Sequence, residues 1–293
     1  NEAIRIFTGA MIPDGADTVI IQENVEVRDG KIYFDKAQVV KGQNIRVMGA
    51  QINTGEVALK KGARLTPGAV GYLGALGVRE VVVGANPSVQ IIVTGSELVQ
   101  AGCKLEPGQI YESNSIALVA ALHSFGVKNP TVRIVRDDAA EIQQQIDEAI
   151  STSNVVLITG GVSVGDYDFT GSALAELGVE NIFYKVAQKP GKPLFFGRKN
   201  KTLVFGLPGN PASVLSCFYE YVTPAIRLLT GSAAPHGLPK VQLPLAENLN
   251  KKAGLAHFLK AKLSGGSVHI LQGQESFILS SFAEADCLVR IPA

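Results

Sequence analysis

Three loops of small residues, each following directly on an apolar run of strand character, constrain this chain more than any other feature. They are VTGSEL at 93–98, ITGGVSVGD at 158–166 and FGLPGNPAS at 205–213. In an open α/β sheet the ligand crevice lies outside the carboxyl ends of the strands, so loops of this kind in one domain converge on one site. Their bare backbone amides suit an anionic or phosphorylated small molecule.

The segments between the loops supply the rest of the sheet. Runs at 89–93, 132–135, 155–158 and 203–205 read as strands. Segments 114–125, 139–150 and 211–229 read as helices, the first ended by Gly126 and the second carrying Ile142, Ile146, Ala149 and Ile150 on one face. Strands apolar on both faces imply helices on both sides. The expected fold is multidomain α/β plus β, with a central doubly wound, mostly parallel sheet over 88–232. It is flanked by a β-rich domain at 1–63, incomplete at its N-terminus, by a short helical segment and linker at 64–87, and by a C-terminal β domain at 233–293, a small antiparallel barrel or sandwich. Within the flanks, Asp29-Gly30 predicts a two-residue hairpin turn, Thr66-Pro67 a helix start closed by Gly77, and Ser264-Gly265-Gly266-Ser267 a second hairpin.

Charge narrows the partners. The 27 basic and 26 acidic residues nearly cancel and Trp is absent, so the footprint of a nucleic-acid-binding protein is missing and a small-molecule substrate fits better. Cys103, Cys217 and Cys287 are odd in number and widely separated, which argues against a disulfide framework and a structural zinc and predicts a reducing cytoplasm. No apolar run approaches the roughly 18 residues of a membrane span, and no signal peptide is expected.

Several residues could carry chemistry. GLPGNP at 206–211 combines a tight loop, an N-cap asparagine and proline at the first helical position. The following helix should then present free amides and about half a unit of positive charge to an anion, plain capping being the alternative. TGGVSVG at 159–165 lacks side chains where a phosphate or ring would approach the backbone. Asp166 and Asp168 follow at once, and carboxylates share a phosphate site only with a cation between them; magnesium, which takes one or two carboxylates plus substrate phosphates, is the natural one. Glu97 lies at the same sheet edge, or is a solvated acid in the first turn of a helix. Asp138 and Glu141 form a D-x-x-E capping box, leaving Asp137 freer to face the site. Lys185, Lys189 and Lys192 lie in a segment that two X-Pro steps hold extended, where lysines can neutralise phosphates. His123, His236, His257 and His269 suggest no Ser-His-Asp arrangement and read as structural or exposed.

Taken together, TGSEL at 94–98, YESN at 111–114, RDD at 136–138, TGGVSVGDYD at 159–168, KPGKP at 189–193 and GLPGNPAS at 206–213 resemble the MoeA family. These are the molybdopterin molybdenumtransferases, to which the E domain of gephyrin belongs. IRIFTGAMIPDGADTVIIQE at 4–23 and FILSSF at 277–282 extend the resemblance over nearly the whole chain. It implies a transferase of molybdenum cofactor biosynthesis that binds adenylated molybdopterin and molybdate, hydrolyses off the adenylyl group as AMP with Mg2+, and inserts molybdenum into the dithiolene.

By the same resemblance Glu97 and Asp168 are the magnesium acids, Asp137 a nearby functional acid, and Lys185 and Lys189 the anion-binding lysines. The molybdopterin-binding positions are then Thr8 in the N-terminal segment, Thr94, Gly95 and Ser96 after the first strand, and Ser113 and Asn114 in YESN. Gly160, Gly161, Ser163 and Gly165 join them from the glycine loop, Lys192 from KPGKP, and Pro208, Gly209, Asn210 and Pro211 from GLPGNP. A cytoplasmic homodimer, with molybdopterin adenylyltransferase as a pathway partner, is also implied. Two departures stand out: the family's DNSAMDGYA-like N-terminal segment is absent, which predicts a fragment inactive alone, and Lys260 stands where relatives can carry arginine, keeping the charge without the planar fork. The alternatives are a non-catalytic molybdopterin-binding scaffold of gephyrin type, and a molybdopterin adenylyltransferase or nucleotide pyrophosphatase.

Overall fold

The computed structural model describes residues 2–161 and 169–293, and the chain divides into two compact units, 1–60 and 61–293. In the first unit β1 (Glu26–Arg28) and β2 (Lys31–Tyr33) pair antiparallel around Asp29-Gly30. Both turn residues have positive φ, 50° and 69°, as the Asp-Gly pair predicts. Side chain and backbone together close the neighbouring loop, where Asn44 Nδ2 donates to the Val19 carbonyl at 2.8 Å and the Val19 amide to the Gln43 carbonyl at 3.1 Å.

The second unit opens with α1 (Pro67–Ala75), whose first turn is capped by the Thr66 hydroxyl accepting from the Ala69 amide. It ends at Gly77, where the amides of Gly77 and Val78 turn back to the carbonyls of Gly74 and Leu73. The α/β part then runs β3 (Val89–Thr94), β4 (Leu98–Val99), β5 (Ile110–Tyr111), α2 (Asn114–Ser124), β6 (Thr131–Val135), α3 (Ala139–Thr152), β7 (Val155–Thr159) and α4 (Phe169–Glu176). It continues through β8 (Glu180–Tyr184), β9 (Gln188–Lys189), β10 (Phe195–Lys199), β11 (Thr202–Leu207), α5 (Pro211–Cys217) and α6 (Thr223–Leu229). Last come β12 (Ala256–Ser264), β13 (Ser267–Ile270), α7 (Ser280–Glu284) and β14 (Cys287–Ile291).

Six strands form the main sheet in the order β6-β3-β7-β11-β10-β8. The first four are parallel, while β10 runs antiparallel to both β11 and β8, so the sheet is mostly parallel, as the sequence predicts. Period-two alternation splits the core into two layers. Ile91, Val93, Leu157, Phe205 and Leu207 cluster with Leu118 and Leu122 of α2 and Val214 of α5. Ile92, Val156, Ile158 and Val204 point the other way, clustering with Ile142, Ile146 and Ala149 of α3 and Leu174 of α4. Each fully buried side chain of this size stabilises the fold by roughly 1.5–3 kcal/mol. The chain leaves β3 toward β6 and returns past β3 to β7, so the strand order reverses between β3 and β7, the topological switch point where such sheets bind ligands.

The segment expected as one long helix over 211–229 is interrupted. Between α5 and α6, Phe218–Val222 forms a π-helical turn in which the Thr223 amide reaches five residues back to the Phe218 carbonyl. Pro224 explains it, since its nitrogen has no hydrogen to continue an α-helical ladder and its ring crowds the preceding turn. The Thr223 hydroxyl adds a second donor to the same carbonyl at 3.2 Å.

The strands of the C-terminal region form one mixed sheet rather than the expected antiparallel barrel or sandwich. β12 pairs antiparallel with β13 and β14 and parallel with β9, the two residues Gln188 and Lys189 that lead into KPGKP. Among the described residues no helix is long and apolar enough to cross a membrane.

Candidate functional site

The carboxyl ends of β3, β7 and β11 lie side by side, in register through Val93, Thr159 and Leu207. Thr94 closes β3 with its hydroxyl toward the Thr159 carbonyl at 3.4 Å. Directly after Thr159 the backbone passes so close to β3 that a Cβ on Gly160 would sit 2.4 Å from the Thr94 carbonyl oxygen, at a φ of +87°. A Cβ on Gly161 would meet the Thr170 hydroxyl at 2.6 Å, and one on Gly209 would lie 3.9 Å from Gly160 Cα. The loops after β7 and β11 are therefore in contact. Asn114 at the start of α2 joins them, its Nδ2 donating to the Gly209 carbonyl at 2.8 Å.

This convergence leaves polar atoms unsatisfied. Among the described residues, Asn114 Oδ1, Thr159 Oγ1 and Thr170 Oγ1 are buried and have no hydrogen-bond partner. Each such atom costs free energy until something pairs with it, which is the signature of a site awaiting a polar ligand. Ser113 is also uncommitted to capping, because the buried Glu112 carboxylate takes that role, accepting from the Ser115 amide at 2.7 Å and its hydroxyl at 2.6 Å.

The turn after β3 is stapled from outside. The Ser96 amide donates to Asp137 Oδ2 at 2.9 Å and the Asp137 amide to Ser96 Oγ at 3.1 Å. Asp137 thus faces the TGSE turn and fixes it, while Asp138 caps α3 through the Glu141 amide at 2.9 Å. The Asp138 amide goes to the Arg136 carbonyl, so only half of the expected capping box forms. Glu97 is exposed in the same turn and leads into β4, not into the first turn of a helix. An exposed carboxylate is the kind of oxygen ligand that magnesium takes. Among the described residues no group of three or more His, Cys, Asp or Glu could hold a metal ion by itself, so such an ion would complete its shell with substrate phosphates and water. Ser163, Gly165, Asp166 and Asp168 lie outside the described residues, and Thr8, exposed in a turn, belongs to the first unit.

At the head of α5 the expectation of free amides needs correction. The Asn210 side chain makes no cap bond; its Nδ2 instead donates to Ser276 Oγ at 2.8 Å. The Ala212 amide is taken by the Ser276 carbonyl, and those of Ser213 and Val214 by the Asn210 carbonyl, each at 3.0 Å. Pro208 is buried between β11 and this turn, and Pro211 is half-buried at its first helical position.

The lysine segment is held by a buried amide. Gln188 is 3 % exposed, donates Nε2 to the Pro190 carbonyl at 3.0 Å and accepts from the Tyr221 hydroxyl, which the π turn presents. Cys217 Sγ contacts the Gly191 carbonyl at 3.7 Å, and burial pushes its thiol pKa up to about 12. Lys185, Lys189 and Lys192 are exposed from this anchored backbone, Lys185 with its ammonium 4.9 Å from the Tyr184 ring centroid. Pairing of β9 with β12 sets Lys189 opposite His257. Both line a cleft of about 220 Å³ with Pro190, Phe258, Gln274 and Glu275. Partial burial, then the positive charges of Lys251 and Lys189, lower the His257 pKa below its ordinary value. The sequence marks His257 only as structural or exposed, and carries no local signal for its place beside Lys189, because a two-residue parallel pairing leaves no periodicity.

Three family models match in order: a MoeA N-terminal region (domains I and II) at 1–77, a probable molybdopterin binding domain at 90–228 and a MoeA C-terminal region (domain IV) at 242–293. The molybdopterin molybdenumtransferase of Haemophilus influenzae is 36% identical over 99% of this chain and 72% of its own length. That of Staphylococcus aureus is 34% identical over 100% and 70%. A crystal structure of the molybdopterin biosynthesis moeA protein from Pyrococcus horikoshii superposes with a TM-score of 0.81 at 33% identity, covering 99% of this chain and 70% of that one. On these matches the chain belongs to the MoeA family of enzymes, the molybdopterin molybdenumtransferases.

Proposed function

We propose that this protein binds adenylated molybdopterin and molybdate at the β3–β7–β11 loop cluster, releases AMP and inserts molybdenum into the dithiolene. The observation that carries the reading is the cluster itself: glycine loops in contact at the topological switch point, with the orphaned polar atoms of Asn114, Thr159 and Thr170 beside them. A polar heterocycle with phosphate groups has the donors and acceptors such a pocket lacks.

Roles follow from placement. Gly160 and Gly161 let the loop after β7 pass close against Thr94 and Thr170 to form the floor of the site, with Gly95 beneath the neighbouring turn, the exposed Gly209 gives the substrate access to backbone, and Asn114 offers an acceptor that is unpaired among the described residues. Asp137 orders the TGSE turn through Ser96, which keeps the Glu97 carboxylate at the sheet edge. Lys185, Lys189 and Lys192 neutralise phosphate and oxyanion charge without becoming nucleophiles. Magnesium, held by Glu97 and, on the family motif, Asp168, would polarise the scissile phosphate bond. The four-part division at 1–63, 64–87, 88–232 and 233–293, the cytoplasmic location and the homodimer belong to the same proposal.

The test is release of AMP from adenylated molybdopterin by the full-length protein, with magnesium and molybdate present, comparing wild type with Glu97→Gln and Asp168→Ala. Molybdate-dependent release that falls by about 10²-fold or more in each variant, worth ~2.7 kcal/mol of transition-state stabilisation, supports the reading. Tight substrate binding with no release in wild type overturns it in favour of a scaffold.

A further inference from the structure

Lys260 stands out as a buried cation that the proposed chemistry does not use. It lies on β12 and is 2 % exposed. Its Nζ donates to the carbonyls of Gly273 at 2.6 Å, Ile278 at 3.1 Å and Glu275 at 3.4 Å. An ammonium has three N–H groups, and here three carbonyls take them all. The nitrogen is therefore committed to the protein, and a contact from it to a substrate oxyanion, as an arginine at this position could make, is not on offer.

What those bonds hold is the loop 273–278, gripped at its start, middle and end. Gln274 locks the same loop to the Lys260 backbone, its Oε1 accepting from the Lys260 amide at 3.0 Å and its Nε2 donating to the Lys260 carbonyl at 2.8 Å. Two parts of the site depend on that loop. Gln274 and Glu275 wall the cleft that Lys189 and His257 share. Ser276 reaches the head of α5, with its hydroxyl on Asn210 Nδ2 and its carbonyl on the Ala212 amide. Asn210 follows Gly209, whose carbonyl holds Asn114.

We infer that Lys260 is a positioning residue for the substrate site. Its three-carbonyl cage fixes the 273–278 loop, and Ser276 on that loop sets the GLPGNP turn against which substrate binds. This rests on the functional reading above, with Lys260 acting through Ser276 and Asn210 and never touching substrate. A cage of converging carbonyls asks for a compact tetrahedral donor; the planar guanidinium of arginine is larger and cannot direct its donors to all three.

The experiment compares wild type, Lys260→Met, Lys260→Arg and Ser276→Ala by hydrogen exchange across 208–218 and by KM and kcat for AMP release. Lys260→Met is expected to speed exchange at the Ala212 amide and raise KM for adenylated molybdopterin, each about tenfold, with kcat changed by less than about threefold. Lys260→Arg should not restore KM. Ser276→Ala, which leaves the cage intact and removes only the Asn210 contact, should raise KM by about half a decade. Wild-type Ala212 protection in Lys260→Met, an unchanged KM in that variant, or full rescue by arginine each overturns the inference. Should Lys260→Met fail to fold, an unchanged KM in Ser276→Ala overturns it alone. If the full-length wild type itself releases no AMP, the functional reading fails, while exchange at Ala212 still decides whether the cage holds the turn.

Discussion

Placing a methyl group on Gly160 tests whether the close passage of β7 past β3 builds the site. Gly160 has a φ of +87°, and a Cβ there would lie 2.4 Å from the Thr94 carbonyl oxygen and 2.7 Å from its hydroxyl. Two costs add in Gly160→Ala. The left-handed backbone costs an alanine about 1–2 kcal/mol, and backbone that must move aside adds about 1–3 kcal/mol of overpacking. Gly178 separates the two, since its φ is +69° but a Cβ there meets nothing within 4 Å. Urea unfolding followed by far-ultraviolet circular dichroism should therefore show Gly178→Ala destabilised by about 1–2 kcal/mol and Gly160→Ala by about 2–5 kcal/mol. Pushing Thr94 away from Thr159 should also weaken molybdopterin binding in Gly160→Ala, about tenfold or more, and leave it unchanged in Gly178→Ala. The reasoning is refuted if the two variants agree within about 0.5 kcal/mol, or if Gly160→Ala binds like wild type.

Thiol alkylation followed by mass spectrometry should label Cys103 first, Cys287 next and Cys217 last, following their exposure. The buried Cys217 thiol holds its proton up to about 12 against an ordinary value of 9.0, so its contribution to stability is complete below pH 9 and is lost as pH rises toward 12. Cys217→Ala should lose part of the alkaline fall in stability, and an alkaline limb identical to wild type would count against that burial. His257 is shifted the other way: its lowered pKa means stability present above about 6.5 and lost as pH falls through the folded-state value. Stability titrations from pH 8 to 4 should show a shallower acid limb in His257→Gln, and a limb as steep as wild type would remove the charge cluster around Lys189 from the argument.

The sequence is most legible where a residue answers to its immediate neighbours. Strands β3, β7 and β11 announce themselves as apolar runs ending in glycine loops, and Ile142, Ile146, Ala149 and Ile150 declare the buried face of α3. Asp29-Gly30 and Thr66-Pro67 carry their turn and cap chemistry in two residues each. Elements that answer to distant partners were hidden. β8 and β10 have half-exposed, mixed faces that show no clean alternation, and the π turn follows from one proline inside a good helical pattern. At the site the loops could be read, because glycine after a strand has a local meaning. The commitment of Asn210 to Ser276, 66 residues away, and of Lys260 to carbonyls 13, 15 and 18 residues on could not, since pairing of this kind leaves no periodic spacing to count. Asp137 falls between: its place just past a strand, free of the capping role of Asp138, was legible, but its bond to the Ser96 amide was not.

The pairing of β9 with β12 sets a limit on how this architecture can be rearranged. The α/β region and the C-terminal sheet are not separable cassettes, because two residues of one, Gln188 and Lys189, are a strand of the other. In a strand a slip of a single residue turns every side chain to the opposite face. One inserted or deleted residue between Tyr184 and Lys189 would thus swing the lysine away from His257, whereas the stretch 247–255 of the connection to β12, which follows the bridge of Leu245 to Val268, lies outside that pairing. Descendants of this chain are bound to keep the short link, and a chimaera joined inside 185–189 would inherit two halves with no shared cleft.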